Sequence, residues 1–398
     1  MSEWKKVKFL DVVHLNPRIS LEKGVEYPFV EMSNVVPCAR KPEKDVFKKY
    51  LGEGTKFEQG DTIVARIEPC LQNGKGFQCS YKQGFGSTEF LVFRPVNIND
   101  LDCDFLYYYM GQQSIREAMA KTMVGASGRQ RVNNKVFNDL QINLPPLQTQ
   151  HRIATILSRY DSLIENYQKQ IKLLEEAAQR LYKEWFVDLR FPGHENTNIV
   201  DGVPEGWEKK KISDVCETVG GGTPSTKVPA YYKGGRIKWV TPTDITRNNC
   251  ICLLDTDKKI TEEGLRNSST KMVPAGTILM TSRASVGYFG IADFEVCTNQ
   301  GFISCIPIPN MQMYLLFNLM SRVDEIRQKA GGSTYLEISK SVFRNFDIVC
   351  PSEIILLQFQ DKASLVLKKE KTLSLQLRLL TEARDRLLPK LMSGEITV

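Results

Sequence analysis

Apolar side chains in the middle of the chain recur at alternating steps of four and three residues. The repeat runs unbroken from Ile153 to Trp185, and this heptad pattern places one apolar stripe along one side of a helix. Pro145-Pro146 suits the start of a helix, where a missing N–H costs nothing, and Pro192-Gly193 closes the segment. We therefore predict one long helix. The predicted seam consists of Ile153, Leu157, Tyr160, Ile164, Tyr167, Ile171, Leu174, Ala178, Leu181 and Trp185.

A second apolar stripe with the same spacing lies near the end of the sequence. Glu370 and Arg384 occupy positions of this stripe and interrupt it. Pro389 lacks the N–H that a helix interior uses, so we expect it to kink the helix or to end it early. The apolar members of this second seam are Phe359, Ala363, Val366, Leu373, Leu377, Leu380, Leu387 and Leu391.

Both predicted helices need a partner for their stripes. A helix of roughly 40 residues is a rod of about 60 Å. Neither rod can bury its stripe alone, so we expect the two to pack on each other as an antiparallel pair. The alternative is a pair of unrelated core helices in separate domains, and it fits less well because core helices are rarely this long or this regular.

The two helical segments are copies of each other at an offset of about 206 residues. Residues 170–181 align with residues 376–387. The same offset pairs Gly125 with Gly331 and continues without a gap into the helices, whereas the sequences upstream diverge. A period this long indicates a duplicated domain rather than a solenoid of short repeats.

The segment before each helix predicts a mixed domain with glycine- and asparagine-rich loops. Short β-branched and apolar runs follow glycine turns, and an apolar helical pattern precedes each shared glycine. The fold class is therefore α+β, with two mixed α/β domains and two long antiparallel coiled-coil helices in a pseudo-two-fold repeat. The predicted strands are 61–67, 90–93, 277–283 and 302–306, and the predicted shorter helices are 104–110 and 313–320.

Composition narrows the class of protein. The 398 residues are 42% hydrophobic and 25% charged, as in an ordinary globular protein. No apolar run reaches the roughly 18 residues that cross a membrane, and the first residues lack the apolar core of a signal peptide, so we expect a cytoplasmic protein. The net charge of +7 is spread evenly, which permits a nucleic-acid partner without demonstrating one.

Metal and cofactor sites are not expected. The 10 cysteines are scattered and form no C-x-x-C pair, which favours reduced thiols. With only 3 histidines, a zinc site is improbable. His151 stands at a predicted helix start, where a surface or capping role is more plausible than general base catalysis.

Catalytic motifs are missing from the sequence. We find no phosphate-binding G-x-x-x-x-G-K-[ST] loop, no H-E-x-x-H and no G-x-S-x-G. The glycine run at 220–224 is not followed by helix-forming sequence, so it predicts a flexible loop rather than a dinucleotide cradle. Pro145-Pro146 is flanked by leucines and lacks the leading amide and the aromatic residue of an aminomethyltransferase clamp.

Three stretches carry a resemblance to a known family. They are LPPLQTQHRIATIL at 144–157, LYKEWF at 181–186 and LLPKLMSGEI at 387–396. With the order of domain, helix, domain and helix, they make the whole chain resemble a type I restriction–modification specificity subunit. The resemblance implies target recognition domains at 1–143 and 191–350, and conserved helical spacers at 144–190 and 351–398.

The resemblance also implies a role and partners. Such a subunit has no catalytic activity and binds no cofactor. It directs two copies of an adenine-N6 methyltransferase (modification) subunit and the restriction subunits that carry ATP-driven translocation and cleavage. Each recognition domain is expected to read one half of an asymmetric, split duplex DNA site, with the helices setting the spacing between the halves.

Candidate DNA contacts lie in two matching loops and at two strand ends. Arginine and glutamine in the first loop can bind guanine and adenine, whereas the second loop offers hydroxyl groups instead. Phosphate contacts, or a loop that only buttresses its domain, explain the same residues equally well. The strand-end arginines can equally be solvated charges. The candidates are Ser127, Arg129, Gln130, Arg131, Ser333, Thr334 and Tyr335 in the loops, with Arg66 and Arg283 at the strand ends.

Two other classes of protein stay open at this point. A stand-alone DNA methyltransferase would bind S-adenosylmethionine without partners. A coiled-coil adaptor with no nucleic-acid role would show no salt-dependent binding to DNA.

Overall fold

The computed structural model describes residues 4–126, 130–248, 250–332 and 335–398. The chain divides into two compact units. The N-terminal unit comprises Met1–Glu165 together with Leu379–Val398, and the C-terminal unit comprises Asn166–Arg378. Each unit therefore contains one mixed domain and a part of both long helices.

In the N-terminal unit, short strands and helices lead into the first long helix, whose later residues belong to the C-terminal unit. The strands are β1 (Lys5–Lys8), β2 (Val13–Leu15), β3 (Glu26–Val30), β4 (Phe47–Lys49), β5 (Thr55–Glu58), β6 (Thr62–Ala65), β7 (Gly76–Gln78), β8 (Gln83–Gly86), β9 (Phe90–Pro95) and β10 (Gln141–Leu144). The helices are α1 (Phe9–Val12), α2 (Cys103–Gly111), α3 (Gln113–Ala120), α4 (Val136–Asp139) and α5 (Leu147–Tyr182), with a 3₁₀ turn at Met32–Asn34.

The C-terminal unit repeats this order with additional short strands. The strands are β11 (Ile199–Val200), β12 (Val203–Pro204), β13 (Glu208–Lys211), β14 (Cys216–Gly220), β15 (Ile237–Val240), β16 (Cys252–Leu253), β17 (Lys258–Ile260), β18 (Met272–Val273), β19 (Ile278–Thr281), β20 (Phe289–Ala292), β21 (Val296–Thr298), β22 (Phe302–Pro307) and β23 (Asp347–Cys350). The helices are α6 (Ile212–Val215), α7 (Pro242–Thr246), α8 (Glu262–Arg266), α9 (Gln312–Ser321), α10 (Val323–Lys329), α11 (Lys340–Arg344) and α12 (Glu353–Ser393), with 3₁₀ turns at His194–Asn196 and Pro229–Tyr231.

The two mixed domains share one sheet topology, to which the C-terminal unit adds the edge strand β16. In the described part of the N-terminal unit, the sheets have the orders β2-β9-β6-β7 and β4-β3-β8-β5. The C-terminal unit has β14-β22-β19-β20-β16 and β17-β15-β21-β18, in which β3 and β8 correspond to the parallel pair β15 and β21. The predicted strands and shorter helices all match elements of the structure. The duplication predicted from the helices therefore extends through the diverged domains.

Each domain is closed by a two-stranded ribbon at the start of its long helix. Strand β1 pairs antiparallel with β10, with Lys5 opposite Leu144. Strand β13 pairs antiparallel with β23, with Glu208 opposite Cys350. The first strand of each domain therefore returns to the strand that precedes the helix, which joins the two ends of the domain.

The glycine run at 220–224 is packed, which differs from the expectation of a flexible loop. A Cβ atom on Gly221 would lie 2.0 Å from the Asn299 carbonyl oxygen. Gly222 donates its N–H to the Thr298 carbonyl at 2.9 Å, and its own carbonyl accepts from the Trp239 indole at 3.0 Å. These positions require glycine because another backbone segment approaches them closely.

Helices α5 and α12 are antiparallel in each unit. In the N-terminal unit Ile153 shares a core with Leu391, whereas Asp161, further along α5, binds Arg384, which lies earlier in α12. In the C-terminal unit Glu175 is hydrogen-bonded to Glu370, and the Tyr182 ring centroid lies 6.2 Å from that of Phe359. The predicted fold class is confirmed.

The seam residues lie on the covered side of both helices. All of them are buried or half-buried, although their role as coiled-coil contacts stays a prediction. Helix α5 continues into a π-helical turn at Lys183–Val187. Helix α12 does not end early, since it runs past Pro389 to Ser393. The buried side chains of Leu391 and Met392 hold this last turn in the N-terminal core and offset the hydrogen bond that proline removes.

Polar groups replace the apolar seam at one point in the N-terminal unit. The Arg384 guanidinium lies 2.9 Å from the Asp161 carboxylate, and both side chains are nine-tenths buried. Tyr108 donates its hydroxyl to the same carboxylate at 2.5 Å, and Arg384 also donates to the Cys38 carbonyl at 3.1 Å. The pair is therefore satisfied on several sides, as a buried ion pair must be.

A different polar arrangement lies in the C-terminal unit. Glu175 and Glu370 share a hydrogen bond. Glu175 accepts from the Ile251 N–H at 2.9 Å and Glu370 from the Cys252 N–H at 2.9 Å. Two carboxyl groups on the long helices thus bind consecutive backbone groups at the start of β16.

Among the helices of the described ranges, none is both long enough and apolar enough to cross a membrane.

Candidate nucleic-acid interface

In each domain, backbone hydrogen bonds join the loop that follows the shared glycine (Gly125 or Gly331) to the end of a central strand, β6 or β19. Val124 and Arg131 exchange backbone hydrogen bonds of 3.0 and 2.9 Å, and Glu68 donates its N–H to the Gln130 carbonyl at 3.2 Å. Val132 in turn donates to the Arg66 carbonyl at 2.9 Å. The described ends of the loop are thus bonded to each other and to the end of β6.

The C-terminal unit repeats this geometry at matching positions. Gly331 and Glu337 exchange backbone hydrogen bonds of 3.0 and 2.8 Å, and Ala284 donates to the Leu336 carbonyl at 2.8 Å. Ile338 donates to the Ser282 carbonyl at 3.0 Å. The hydrogen bonds equate Glu337 with Arg131, because each is the residue that closes its hairpin.

These hydrogen bonds also show that the two strand-end arginines, Arg66 and Arg283, do not occupy equivalent positions. The backbone partners of Arg66 correspond to those of Ser282, and the bridge of Ile67 to Arg131 corresponds to that of Arg283 to Glu337. In the structural alignment of the two domains, Arg66 thus corresponds to Ser282, and Arg283 corresponds to Ile67. Successive side chains on an extended strand point to opposite faces, so the two arginines are not equivalent.

Two of the candidate arginines are paired with carboxylates. Arg131 binds Glu89 through its Nε atom at 2.8 Å, and this contact lowers the pKa of the Glu89 carboxyl. Arg283 binds Glu337 at 2.8 Å and lies over the Tyr335 ring, 5.4 Å from its centroid. Each arginine therefore already binds one carboxylate, and a guanidinium has further N–H groups that can donate to a second anion.

Arg66 is the exception. Its backbone N–H donates to the Glu89 carbonyl at 2.9 Å, which places it beside the pair of Glu89 and Arg131. Its buried Nε atom has no hydrogen-bond partner, and its guanidinium forms no ion pair with any residue that the structure describes. The Arg66 charge helps to lower the pKa of the Glu89 carboxyl, so the cation lies in the field of that carboxylate without a direct ion pair. A guanidinium without a direct partner can donate to a phosphate or to a base edge.

The remaining loop candidates fall into two groups. Gln130 is half-buried, and Tyr335 has 46% of its surface exposed. Ser127, Arg129, Ser333 and Thr334 lie outside the described residues. The structure therefore brings together Arg66, Gln130 and Arg131 in one unit, and Arg283 and Tyr335 in the other.

Sequence reasoning missed the two carboxylates that hold these arginines. Glu89 lies far from Arg131 in the chain, and no motif marks it. Glu337 did carry a signal, since the repeat offset aligns it with Arg131 as an opposite charge.

Within the described ranges, no cluster of three or more histidine, cysteine, aspartate or glutamate side chains could hold a metal ion.

Comparison with known proteins defines the class. A family profile described as the type I restriction modification DNA specificity domain matches residues 1–176 and 204–364. The chain therefore belongs to the family of type I restriction–modification specificity subunits.

Several relatives that are named as type I restriction enzyme specificity subunits match part or all of the chain. The HindI specificity subunit of Haemophilus influenzae is 25% identical over 100% of both proteins. The EcoR124I/EcoR124II specificity subunit of Escherichia coli is 30% identical over 76% of this chain and 82% of that protein. The MjaIX specificity subunit of Methanocaldococcus jannaschii is 39% identical, over 38% of this chain and 35% of the relative.

A solved structure shares the fold. The S subunit of a type I restriction-modification system from M. genitalium matches with a TM-score of 0.59 and 16% sequence identity. The match covers 98% of this chain and 96% of that chain.

Proposed function

We propose that this chain is the DNA sequence-specificity subunit of a type I restriction–modification complex and that it reads an asymmetric, two-part duplex site. One observation carries the proposal. The two domains have the same topology and the same pinned hairpin, yet matched positions hold different side chains, as Arg131 and Glu337 do. Two similar scaffolds with different contact residues suit two half-sites of different sequence.

The partners follow from the proposed role. Target recognition domains at 1–143 and 191–350 bind duplex DNA, and the helical segments at 144–190 and 351–398 set the spacing and dock the partner subunits. These are two modification subunits with adenine-N6 methyltransferase activity, and restriction subunits with ATP-dependent translocase and endonuclease activity. The relatives are named as specificity subunits of type I restriction enzymes, which supports this assignment.

The DNA contacts are assigned to the hairpins and strand ends. Arg66 is the first candidate because it has no carboxylate partner among the described residues. Arg131 and Arg283 are further candidates, each held in place by a carboxylate (Glu89 and Glu337), and Gln130 and Tyr335 flank them. Ser127, Arg129, Ser333 and Thr334 remain candidates from their place in the same loops.

Exchange of one domain tests the two-part site. Replacing residues 1–143 with the equivalent segment of a relative should change one half of the site and leave the other half and the spacing unchanged. The measurement is selection from random duplexes by the full chain assembled with a modification subunit. The reciprocal exchange of 191–350 is the matched control, because it should change only the other half.

Three results would contradict the proposal. The first is a change of both halves on a single exchange, and the second is equal binding of all sequences. The third is saturable binding of S-adenosylmethionine by this chain alone, which would favour the stand-alone methyltransferase.

Substitution of Arg66 tests the assigned contact. Arg66→Met should weaken binding to the selected duplex by about tenfold, in line with the roughly 1–3 kcal/mol of a good arginine contact. The free energy of unfolding should change by less than about 1 kcal/mol, because Arg66 forms no direct ion pair and the substitution removes only its longer-range attraction to Glu89. Fluorescence anisotropy with labelled duplex and urea unfolding measure the two effects.

Arg18→Met is the matched control, since Arg18 is an exposed arginine of the same unit. It should reduce affinity by less than about twofold at 0.15 M salt, where distant surface charges are screened. If both variants lose affinity equally, Arg66 contributes only general charge and the assignment is wrong.

A further inference from the structure

In the C-terminal unit, the turn between β21 and β22 lies beside the strand end that carries Arg283. The turn comprises residues 299–301, and Gln300 is its exposed member. Ser282 donates its N–H to the Gly301 carbonyl at 2.7 Å, which joins the turn to the end of β19. Arg283 is the next residue of the chain, so the turn lies next to the contacts assigned above to DNA.

The corresponding turn of the N-terminal unit already supplies a side chain to its own candidate contacts. Glu89 is the last residue of that turn and corresponds to Gly301, because its carbonyl accepts from the Arg66 N–H at 2.9 Å. The Arg131 Nε atom donates to the Glu89 carboxylate at 2.8 Å. A side chain of this turn is therefore close enough to touch the loop that follows the shared glycine.

Three neighbouring groups fix the backbone of the C-terminal turn. The Gly222 N–H donates to the Thr298 carbonyl at 2.9 Å, and the Asn299 N–H donates to the Val240 carbonyl at 3.0 Å. Within the turn, the Gly301 N–H donates to the Asn299 side-chain oxygen at 2.9 Å. A backbone held in this way keeps its exposed side chain in one place, as a base contact requires.

The Thr223 hydroxyl orients the amide group of Gln300. Thr223 follows the three glycines of the run at 220–224 and is exposed, and its Oγ1 atom donates to the Gln300 Oε1 atom. A carbonyl oxygen has two lone pairs, so Oε1 can accept a second hydrogen bond. The Nε2 atom donates to none of the residues that the structure describes. The amide thus presents a donor and an acceptor to solvent in a set orientation.

A lysine side chain lies over the same glycine run. A Cβ atom on Gly220 would lie 2.8 Å from the Lys340 Nζ atom and 3.3 Å from its Cε atom. Lys340 is exposed and forms no ion pair with any described residue. The missing side chain at Gly220 leaves room for this ammonium group, and a mobile point charge beside the turn suits a phosphate contact.

A glutamine amide with both groups available matches adenine. In the major groove adenine presents the N7 acceptor and the N6 donor, which complement the Nε2 donor and the Oε1 acceptor. Guanine presents two acceptors at the same edge and cannot satisfy both groups. A surface glutamine usually loses rotamer freedom when it binds, but the hydroxyl of Thr223 restricts Gln300 beforehand.

We propose that Gln300 reads an adenine in the half-site of the C-terminal domain. Thr223 is the residue that positions its amide, and Lys340 binds a phosphate of the same half-site. Gln300 can reach a base only if the duplex lies at the strand end of Arg283, so this assignment rests on the proposed function.

Selection from random duplexes tests the assignment, with the full chain assembled with a modification subunit. The parent chain should favour adenine, on either strand, at one position of the half-site that exchange of 191–350 changes. In Gln300→Ala this preference should fall about tenfold, in line with the discrimination of a bidentate amide contact. All other positions should keep their preferred bases.

Gln300→Glu gives a change of preference rather than a loss. The carboxylate has nearly the same shape as the amide and still accepts from the Thr223 hydroxyl, but it has no donor. An acceptor at this place suits the N4 amino group of cytosine. The preferred base at that one position should therefore change from adenine to cytosine.

Thr223→Val tests the positioning role. The valine keeps the side-chain shape and removes the hydroxyl, so the adenine preference should fall about threefold while affinity for duplexes without that adenine stays unchanged. Thr223→Ser restores a hydroxyl and should restore the preference. A residue that only supports the fold would not separate these two affinities.

Two further variants separate base reading from general effects. Lys340→Met should weaken binding to all duplexes alike and reduce the slope of log affinity against log salt by about 1. Gln328→Ala removes an exposed glutamine on α10 of the same domain and is the matched control. It should change neither the base preference nor the salt slope.

Several outcomes overturn the assignment. They are a parent half-site without an adenine preference, an unchanged preference in both Gln300→Ala and Gln300→Glu, and an equal loss of affinity for all sequences in Gln300→Ala. If the parent chain selects a two-part site and the Gln300 variants select the same site, only this assignment is wrong. If the parent chain selects no sequence at all, the proposed function is wrong and the assignment is wrong with it.

Discussion

Replacing Arg384 by methionine is expected to lower the free energy of unfolding of the N-terminal unit by about 3–5 kcal/mol. The substitution leaves the Asp161 carboxylate buried, with the Tyr108 hydroxyl but without its cation. Such a charge loses the solvation of water and gains no compensating attraction. Urea unfolding measures the change, and hydrogen exchange resolved by mass spectrometry assigns it to the N-terminal unit.

The internal repeat provides the control for this experiment. At the offset of about 206 residues, Asp161 aligns with Leu367 and Arg384 with Ala178, and both apolar residues pack in the C-terminal core. The double variant Asp161→Leu with Arg384→Ala should therefore recover most of the lost stability, to within about 1 kcal/mol of the parent. If the double variant is as unstable as Arg384→Met, packing rather than the stranded charge causes the loss.

Stability of the C-terminal unit is expected to fall as pH rises from about 4.5 to about 7. Burial, followed by the neighbouring Glu370 charge, raises the pKa of Glu175 to about 7, and burial also raises the pKa of Glu370. The folded unit therefore holds a proton that the unfolded chain releases above about pH 4.5. The pair contributes fully below that pH, and its contribution is lost once the pH exceeds the folded pKa.

Glu175→Gln should remove the part of this pH dependence that comes from Glu175. The glutamine oxygen can still accept the Ile251 N–H, and its amide can donate to Glu370, so the bonds persist without a shared proton. We expect an increase of about 2 kcal/mol in the free energy of unfolding at pH 8. This is below the value for a fully buried carboxyl, because Glu175 is only half-buried and water screens it.

Glu176→Gln is the neighbouring control. Glu176 is half-buried and lies 3.4 Å from Arg180 one turn along the helix, so its loss should change stability by less than about 0.5 kcal/mol at any pH. Urea unfolding at pH 5 and pH 8 compares the variants. The shared-proton interpretation is wrong if the parent chain and Glu175→Gln lose stability in parallel between these two values.

Glu370 and Arg384 show what the heptad pattern can predict about a residue and what it cannot. Both break the apolar repeat of the second long helix, and the pattern marks them only as interruptions. In the structure each has its own partners: Glu370 binds the Cys252 N–H and Glu175, and Arg384 binds Asp161. These partners lie far away in sequence and follow no periodicity, so spacing alone could not identify them.

Pro389 and Gly221 are two positions where a local sequence rule did not predict the structure. Local rules end a helix at proline and assign flexibility to a glycine run. Helix α12 nevertheless continues to Ser393 because its last turn is buried, and Gly221 packs against the Asn299 carbonyl. Tertiary burial outweighed the local preference in both places.

The sequence by itself determined the duplication, the two long helices, the alternation of domain and helix, and the family resemblance. These features depend on periodicity, local propensity and long identical offsets, all of which are written along the chain. Only the tertiary structure decided which charges are neutralised. Arg131 and Arg283 form ion pairs with carboxylates, whereas Arg66 forms none with the residues that the structure describes. Arg66 and Arg283 also occupy strand positions that differ by one residue. Pairing of this kind depends on the approach of side chains that are distant in sequence, which folding alone establishes.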